Sequence, residues 1–190
     1  MVSGKAKTGA YAIATLLGGE PRSCIERIWH ELLVHFGVRH PYKVPLAHFS
    51  YHVAENYDLE KIKPLISQFT AYKSVFKVHT EGIGFFNAAE PIIYIPVVRD
   101  PQFTSFHRSL CHVVDSWATK PLDYFHPDSW MPHITLVHGN IKKDILPQVL
   151  AYLAEKDFNW EVEVSNISVI CSECTEFDSG LRFPLSLQGI

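Results

Sequence analysis

Along two short stretches of this chain, polar and apolar residues alternate. In Val44–Val53 (VPLAHFSYHV), Leu46, His48, Ser50 and His52 alternate with Ala47, Phe49, Tyr51 and Val53. In Met131–His138 (MPHITLVH), His133 and Thr135 alternate with Ile134 and Leu136. Period two is the signature of a half-buried strand. Elsewhere the apolar residues recur at helical spacing. Ile25, Ile28, Leu32 and Leu33 predict a helix from Glu20-Pro21 to Phe36, with Gly37 as its stop. Leu59, Ile62, Leu65, Ile66 and Phe69 predict a second, capped by Asp58. Phe103, Phe106, Leu110 and Val114 predict a third over Pro101–Thr119, and Asp144–Lys156 a fourth, with Pro147 tolerated in its first turn. Apolar or alternating runs predict further strands at Ala10–Leu17, Val75–Thr80, Gly84–Phe86, Pro91–Val98, Trp160–Val164, Ile167–Cys171 and Arg182–Leu187.

The order of elements repeats. Strand, helix, His-bearing strand, helix and strands run from Ala10 to Phe86, and again from Pro91 to Leu187. A duplicated α+β unit is the economical reading. No Gly/Ser-rich linker separates the halves. One domain of two similar lobes, about 10–90 and 91–190, is expected, with the two His strands facing one cleft.

Composition narrows the function. The chain has 190 residues, 47% hydrophobic and 19% charged, which suits a globular domain rather than a disordered one. Its net charge is −3, and the few cations are dispersed, Lys142-Lys143 being the closest cluster. Proteins that grip long nucleic acids show a basic stripe, because phosphate contacts dominate affinity. A nucleotide or short oligonucleotide is therefore the expected partner, and a long nucleic acid is not. No apolar run has the length of a membrane span. The first apolar stretch, broken by Tyr11 and Thr15, reads as a strand and not as a signal peptide. A cytoplasmic monomer is expected. Cys24 and Cys111 fall in helices as small core residues, and Cys171-Ser172-Glu173-Cys174 reads as two reduced thiols ending a strand.

The candidate chemistry lies in His48-Phe49-Ser50 and His133-Ile134-Thr135, 133 − 48 = 85 residues apart. On a strand, residues i and i+2 share a face, so each tripeptide presents an imidazole beside a hydroxyl. The pattern alone is weak. With 11 His in the chain, roughly one chance match is expected, and His107-Arg108-Ser109 is such a match on a helix. Strand parity, and placement once in each half, set the other two apart. Neither His strand carries a carboxylate to complete a metal site, so no cofactor is expected.

Paired His-x-Ser/Thr strands in two related halves resemble the 2H phosphoesterase superfamily, also called the 2′-5′ RNA ligase-like or LigT-like fold. Pro132-His133-Ile134-Thr135-Leu136 matches its second motif closely, and Ala47-His48-Phe49-Ser50-Tyr51 its first, with Ser for the commoner Thr. Gly82-Ile83-Gly84-Phe85-Phe86 resembles the family's Gly-containing segment, in which an aromatic residue lines the pocket. One departure stands out. Many bacterial members carry a basic residue soon after the second motif, where this chain has Val137-His138-Gly139, and strand parity turns His138 away from His133.

The resemblance implies a bilobal α+β fold, two antiparallel sheets flanked by helices around a central cleft. It implies metal-independent phosphodiester hydrolysis, with His48 and His133 as acid and base and Ser50 and Thr135 binding the phosphate; the alternatives are a nucleotide-binding module with weak or lost catalysis, and RNA-end processing or 2′-5′ RNA ligase activity. Phe86 is the implied stacking residue. His52, on the face of His48 by parity, is a further substrate-binding candidate. Trp130 and Tyr124, in the Pro- and aromatic-rich stretch Lys120–Met131, are candidates for a mobile rim.

Overall fold

The computed structural model describes residues 10–40, 45–87, 90–139, 141–172, 176 and 178–187. The chain runs β1 (Tyr11–Leu16), α1 (Gly19–Phe36), β2 (His48–Tyr57), α2 (Leu59–Ala71), β3 (Phe76–His79), β4 (Gly84–Phe86), β5 (Ile92–Pro96), α3 (Pro101–Val114), β6 (Ala118–Pro121), β7 (His133–His138), α4 (Leu146–Ala154), β8 (Glu161–Val164), β9 (Asn166–Cys171) and β10 (Arg182–Pro184). The helix boundaries follow from local chemistry. Asp58 and Asp100 each accept a backbone N–H of the first turn, from Lys61 and Phe103. Gly37 ends α1 in the left-handed conformation at φ 67°. Pro147 sits in the first turn of α4, where it removes no helical hydrogen bond.

Two antiparallel sheets form. Among the described residues the large one has eight strands in the order β10-β9-β1-β2-β7-β5-β4, with β6 paired to β2; the small one is β3-β8. The two His strands, β2 and β7, are neighbours, with Phe49 opposite Ile134. Both chain halves contribute to each side of that seam. β9 and β10 extend the sheet beyond β1, α3 packs on β2, and α1 packs on β7. Phe49 and Tyr51 point into an apolar core, where they meet Phe103 and Phe106 of α3 edge-on or tilted. This aromatic layer fixes the back of β2.

Three features depart from the sequence reading. The third helix ends at Val114 rather than Thr119; a 3-10 turn (Asp115–Trp117) follows, then β6, in a region read as helix and loop. The strand bearing His48 starts later and runs on to Tyr57. Cys171 is disulfide-bonded, against the expectation of two reduced thiols there; Glu173 and Cys174 lie outside the described residues. Cys24 is half-buried and Cys111 buried, both as free thiols. Among the described residues, no helix is long and apolar enough to cross a membrane.

Candidate active site

Both His strands carry a β-bulge at the same place. Against β1, Ile13 faces His52 and Ala14 faces Ser50, so Tyr51 is the extra residue. Against β5, Ile93 faces Val137 and Tyr94 faces Thr135, so Leu136 is the extra residue. Each bulge therefore falls one residue beyond its Ser or Thr. A bulge puts two consecutive side chains opposite one partner and resets parity beyond it. Up to the bulge, His48 and Ser50 share one face, as do His133 and Thr135. Beyond it, parity reverses.

That reversal corrects two expectations. His52 lies on the helix-side face, away from His48 and Ser50. Its Nδ1 meets the Tyr57 hydroxyl at 2.5 Å and its Nε2 lies 3.4 Å from Asp115. It lines a cavity of about 310 Å³ with Cys111, Asp115 and Phe125, behind the sheet. His138, by contrast, faces the same way as His133 and Thr135, opposite Ile92. Its proximity is felt electrostatically: positive charge on His138 disfavours protonation of His133.

The two motif histidines are held alike. His48 Nδ1 lies 2.6 Å from the Leu46 carbonyl oxygen, and His133 Nδ1 lies 2.7 Å from that of Met131, each two residues upstream. A carbonyl oxygen only accepts, so Nδ1 is the donor in both rings. In the neutral form the basic lone pair is then on Nε2. Burial pushes the His48 imidazole down to about 4; the Leu46 carbonyl opposes this and His133 adds to it. Burial also lowers His133, with the Met131 carbonyl opposing. Both rings are therefore neutral at neutral pH. The pair Phe49 and Ile134 sits between them in the ladder. Carried one residue each way, that antiparallel register sets His48 against Thr135 and Ser50 against His133.

An aromatic group flanks His133. The Phe86 ring stacks on Tyr94 at 4.2 Å and meets His133 edge-on at 5.4 Å; Tyr94 lies 5.1 Å from His133. Phe86 is thus placed beside the second motif. Tyr94 escaped the sequence reading because it sits in the uniformly apolar run PIIYIPVV, which carries no face signal. The remaining candidates lie elsewhere. Trp130 is 1% exposed and packs in the core against Tyr51 and Phe103, so it is not a mobile rim. Tyr124 is 81% exposed on a 3-10 turn (Asp123–Phe125), in the segment that walls the cavity behind the sheet. His107 is a fully buried helix residue, as its spacing predicted. Among the described residues, no three His, Cys, Asp or Glu side chains converge as a metal-ligand set.

Comparison with known proteins identifies the family and the fold. The sequence profile of the 2'-5' RNA ligase superfamily matches residues 20–173, more than half of the chain. The chain belongs to that superfamily, the 2H phosphoesterases. Its fold is that of TT0787 of Thermus thermophilus (15% identity, 95% of this chain and 100% of that one, TM-score 0.64). It is similar also to E. coli LigT complexed with 3'-AMP (17% identity, 95% and 96% covered, TM-score 0.52). A structure described as a phosphoesterase matches at 19% identity, 95% and 97% coverage and TM-score 0.53. No curated protein matches this 2H chain in sequence.

Proposed function

We propose that the protein is a metal-independent phosphodiesterase that hydrolyses a cyclic-phosphate nucleotide or a short 2′-5′-linked or cyclic oligonucleotide. The observation that carries this reading is the matched tethering of His48 and His133. Two imidazoles on adjacent strands, each with Nδ1 on a carbonyl and its basic atom at Nε2, form an acid–base pair. One imidazole takes a proton from water or a ribose hydroxyl as that oxygen attacks phosphorus. The other, protonated, gives its proton to the departing ribose oxygen. Ser50 and Thr135 donate hydrogen bonds to the nonbridging oxygens, where negative charge grows. Phe86, stacked on Tyr94 beside His133, offers a face to a base.

Burial alone holds both histidines neutral, which suits the base and not the acid. The anionic phosphodiester supplies the missing term: its charge favours protonation of one ring as it binds. The LigT structure was solved with 3'-AMP, which supports a nucleoside monophosphate as a ligand of product size. The charge balance supports a small substrate. The net charge is −3, and among the described residues Lys77, Lys120, Lys156, Arg22 and Arg108 each lie within 4 Å of a carboxylate, which reduces their pull on a long phosphate backbone.

The test is a panel of 2′,3′-cyclic mononucleotides, 3′,5′-cyclic nucleotides, cyclic dinucleotides and 2′-5′ oligoadenylates, assayed with EDTA present. Hydrolysis of at least one class, unaffected by EDTA and lost in H48A and H133A, is expected. Hydrolysis of none refutes the catalytic reading and points to a nucleotide-binding module; dependence on metal refutes the mechanism.

A further inference from the structure

The bulge in β2 leaves backbone groups that no ladder serves. On its outer edge β2 is paired by β7 at Phe49 and by β6 from Ala54 onward. In between, two side chains take the carbonyls. The Trp130 indole Nε1–H donates to Ser50 O at 2.9 Å, and His107 Nε2–H donates to Tyr51 O at 2.8 Å. The two rings stack on each other, centroids 3.7 Å apart and 16° from parallel. Both are buried, at 1% and 0% exposure, and Phe103 packs on the indole at 4.9 Å. The backbone of Trp130 is fixed as well: Arg99 Nη1 donates to its carbonyl at 2.7 Å. The next residue, Met131, supplies the carbonyl that orients His133.

Trp130 therefore joins the two motifs. Its ring holds the backbone of Ser50, and its main chain begins the three-residue run to His133. We propose that Trp130, locked by its stack on His107, is the positioning residue that sets the Ser50 hydroxyl against His133. This rests on the phosphodiester chemistry proposed for His48, Ser50, His133 and Thr135. A hydroxyl that must meet charge as it develops on a nonbridging oxygen is sensitive to displacement, and about 1 Å of misplacement slows such reactions on the order of 100-fold.

The test is W130F, which keeps an aromatic ring on His107 and removes the N–H. On the diester found active in the panel, kcat should fall about 10- to 100-fold with KM little changed. The loss should vanish in the S50A background, where W130F/S50A turns over no more slowly than S50A. A merely structural tryptophan would lower the melting temperature and leave kcat per folded molecule intact, or act additively with S50A; either result overturns the proposal. H107Q, which removes the stacking platform, should lower kcat by the same non-additive route, and it serves if W130F does not fold. A crystal structure of W130F, or of H107Q in its place, separates this inference from the functional one. A shifted Ser50 carbonyl and hydroxyl are expected. Ser50 superposing on the wild type refutes the positioning role even in an active enzyme, and an inactive wild type refutes the functional reading while leaving the structural test standing.

Discussion

Gly84 lies directly beneath the ring of Tyr94: a Cβ built on it would collide with the ring carbon Cζ. The two residues are paired across β4 and β5, so the strand spacing cannot open to relieve the clash. The ring is also packed against its neighbours, stacked on Phe86 and tilted against His133. Gly84→Ala should therefore displace Tyr94 and disturb both rings that lean on it. Overpacking of this kind costs about 1–3 kcal/mol. The expected outcome is a lower melting temperature together with reduced turnover. A variant as stable and active as the wild type would show that the Tyr94 stack does not matter.

His48 and His133 are tied in the same way, and their removal should be equally damaging. H48A and H133A should each lower kcat by about 10²–10⁴-fold on the active diester, since on the proposed mechanism each removes one proton transfer. On the proposed mechanism S50A and T135A each lose a hydrogen bond to the phosphate and should cost about 10- to 1000-fold. T135S, which keeps the hydroxyl, should retain most activity. Steady-state kinetics on these variants decide this. Wild-type rates in either His variant would remove the acid–base pair from the chemistry.

Ligand binding should take up a proton. Burial holds His48 at about 4 and lowers His133 in the ligand-free protein, and a bound phosphodiester anion raises the ring it faces. A pKa higher in the complex than in the free protein makes affinity rise as pH falls through the higher value. Titration calorimetry of a non-hydrolysable phosphodiester at neutral pH, in buffers of different ionisation enthalpy, measures the uptake directly. Zero proton uptake at all pH values between about 5 and 8 would contradict the mechanism.

The same burial makes the fold acid-labile. His48, His52, His107 and His133 all lie below the ordinary histidine value because desolvation penalises their charged forms. Folded pKa values below the unfolded one mean that the unfolded chain binds more protons, so stability is lost as pH falls below about 6.5. The loss continues down to about 4, where His48 and His107 titrate in the folded state. Each of those two contributes on the order of 2–3 kcal/mol over that window. Urea midpoints measured from about pH 7 to 4 should fall steadily. Replacing the buried His107 with Gln should flatten the slope, whatever it does to stability at neutral pH.

Much of this was legible in the chain. Asp58, Gly37 and Pro147 mark helix ends through chemistry confined to one turn, and such marks survive folding. The alternation around His48 and His133 was legible too, and it placed each imidazole beside its hydroxyl. What the alternation could not reveal is where it breaks. Tyr51 and Leu136 are ordinary strand residues with no Gly or Pro to announce a bulge, and only the partner strands β1 and β5 show the extra residue. Parity counted past them put His52 and His138 on the wrong faces. Ala118–Pro121 was invisible for a related reason: four residues ending in proline become a strand only because β2 offers an open edge. Trp130 looked like a rim residue in a Pro-rich stretch, yet the unpaired Ser50 carbonyl gives its N–H a buried partner.

The reversed parity makes its own prediction, because the two histidines that follow the motifs should behave oppositely. His52 bonds Tyr57 and faces Asp115 behind the sheet, so H52Q should leave kcat and KM near wild type and act on stability alone. His138 shares the face of His133, and its positive charge holds the His133 pKa down. His138 also lies 3.8 Å from Glu90 and is half exposed, so solvent screens its effect on His133 to a small one. H138Q removes that charge and should move the His133 titration upward. In the pH–rate profile the limb due to His133 should shift to higher pH by the same small amount. An imidazole-selective NMR titration of His133 in both variants measures the two effects side by side. A larger change in H52Q than in H138Q would mean that strand parity runs through the bulges uninterrupted.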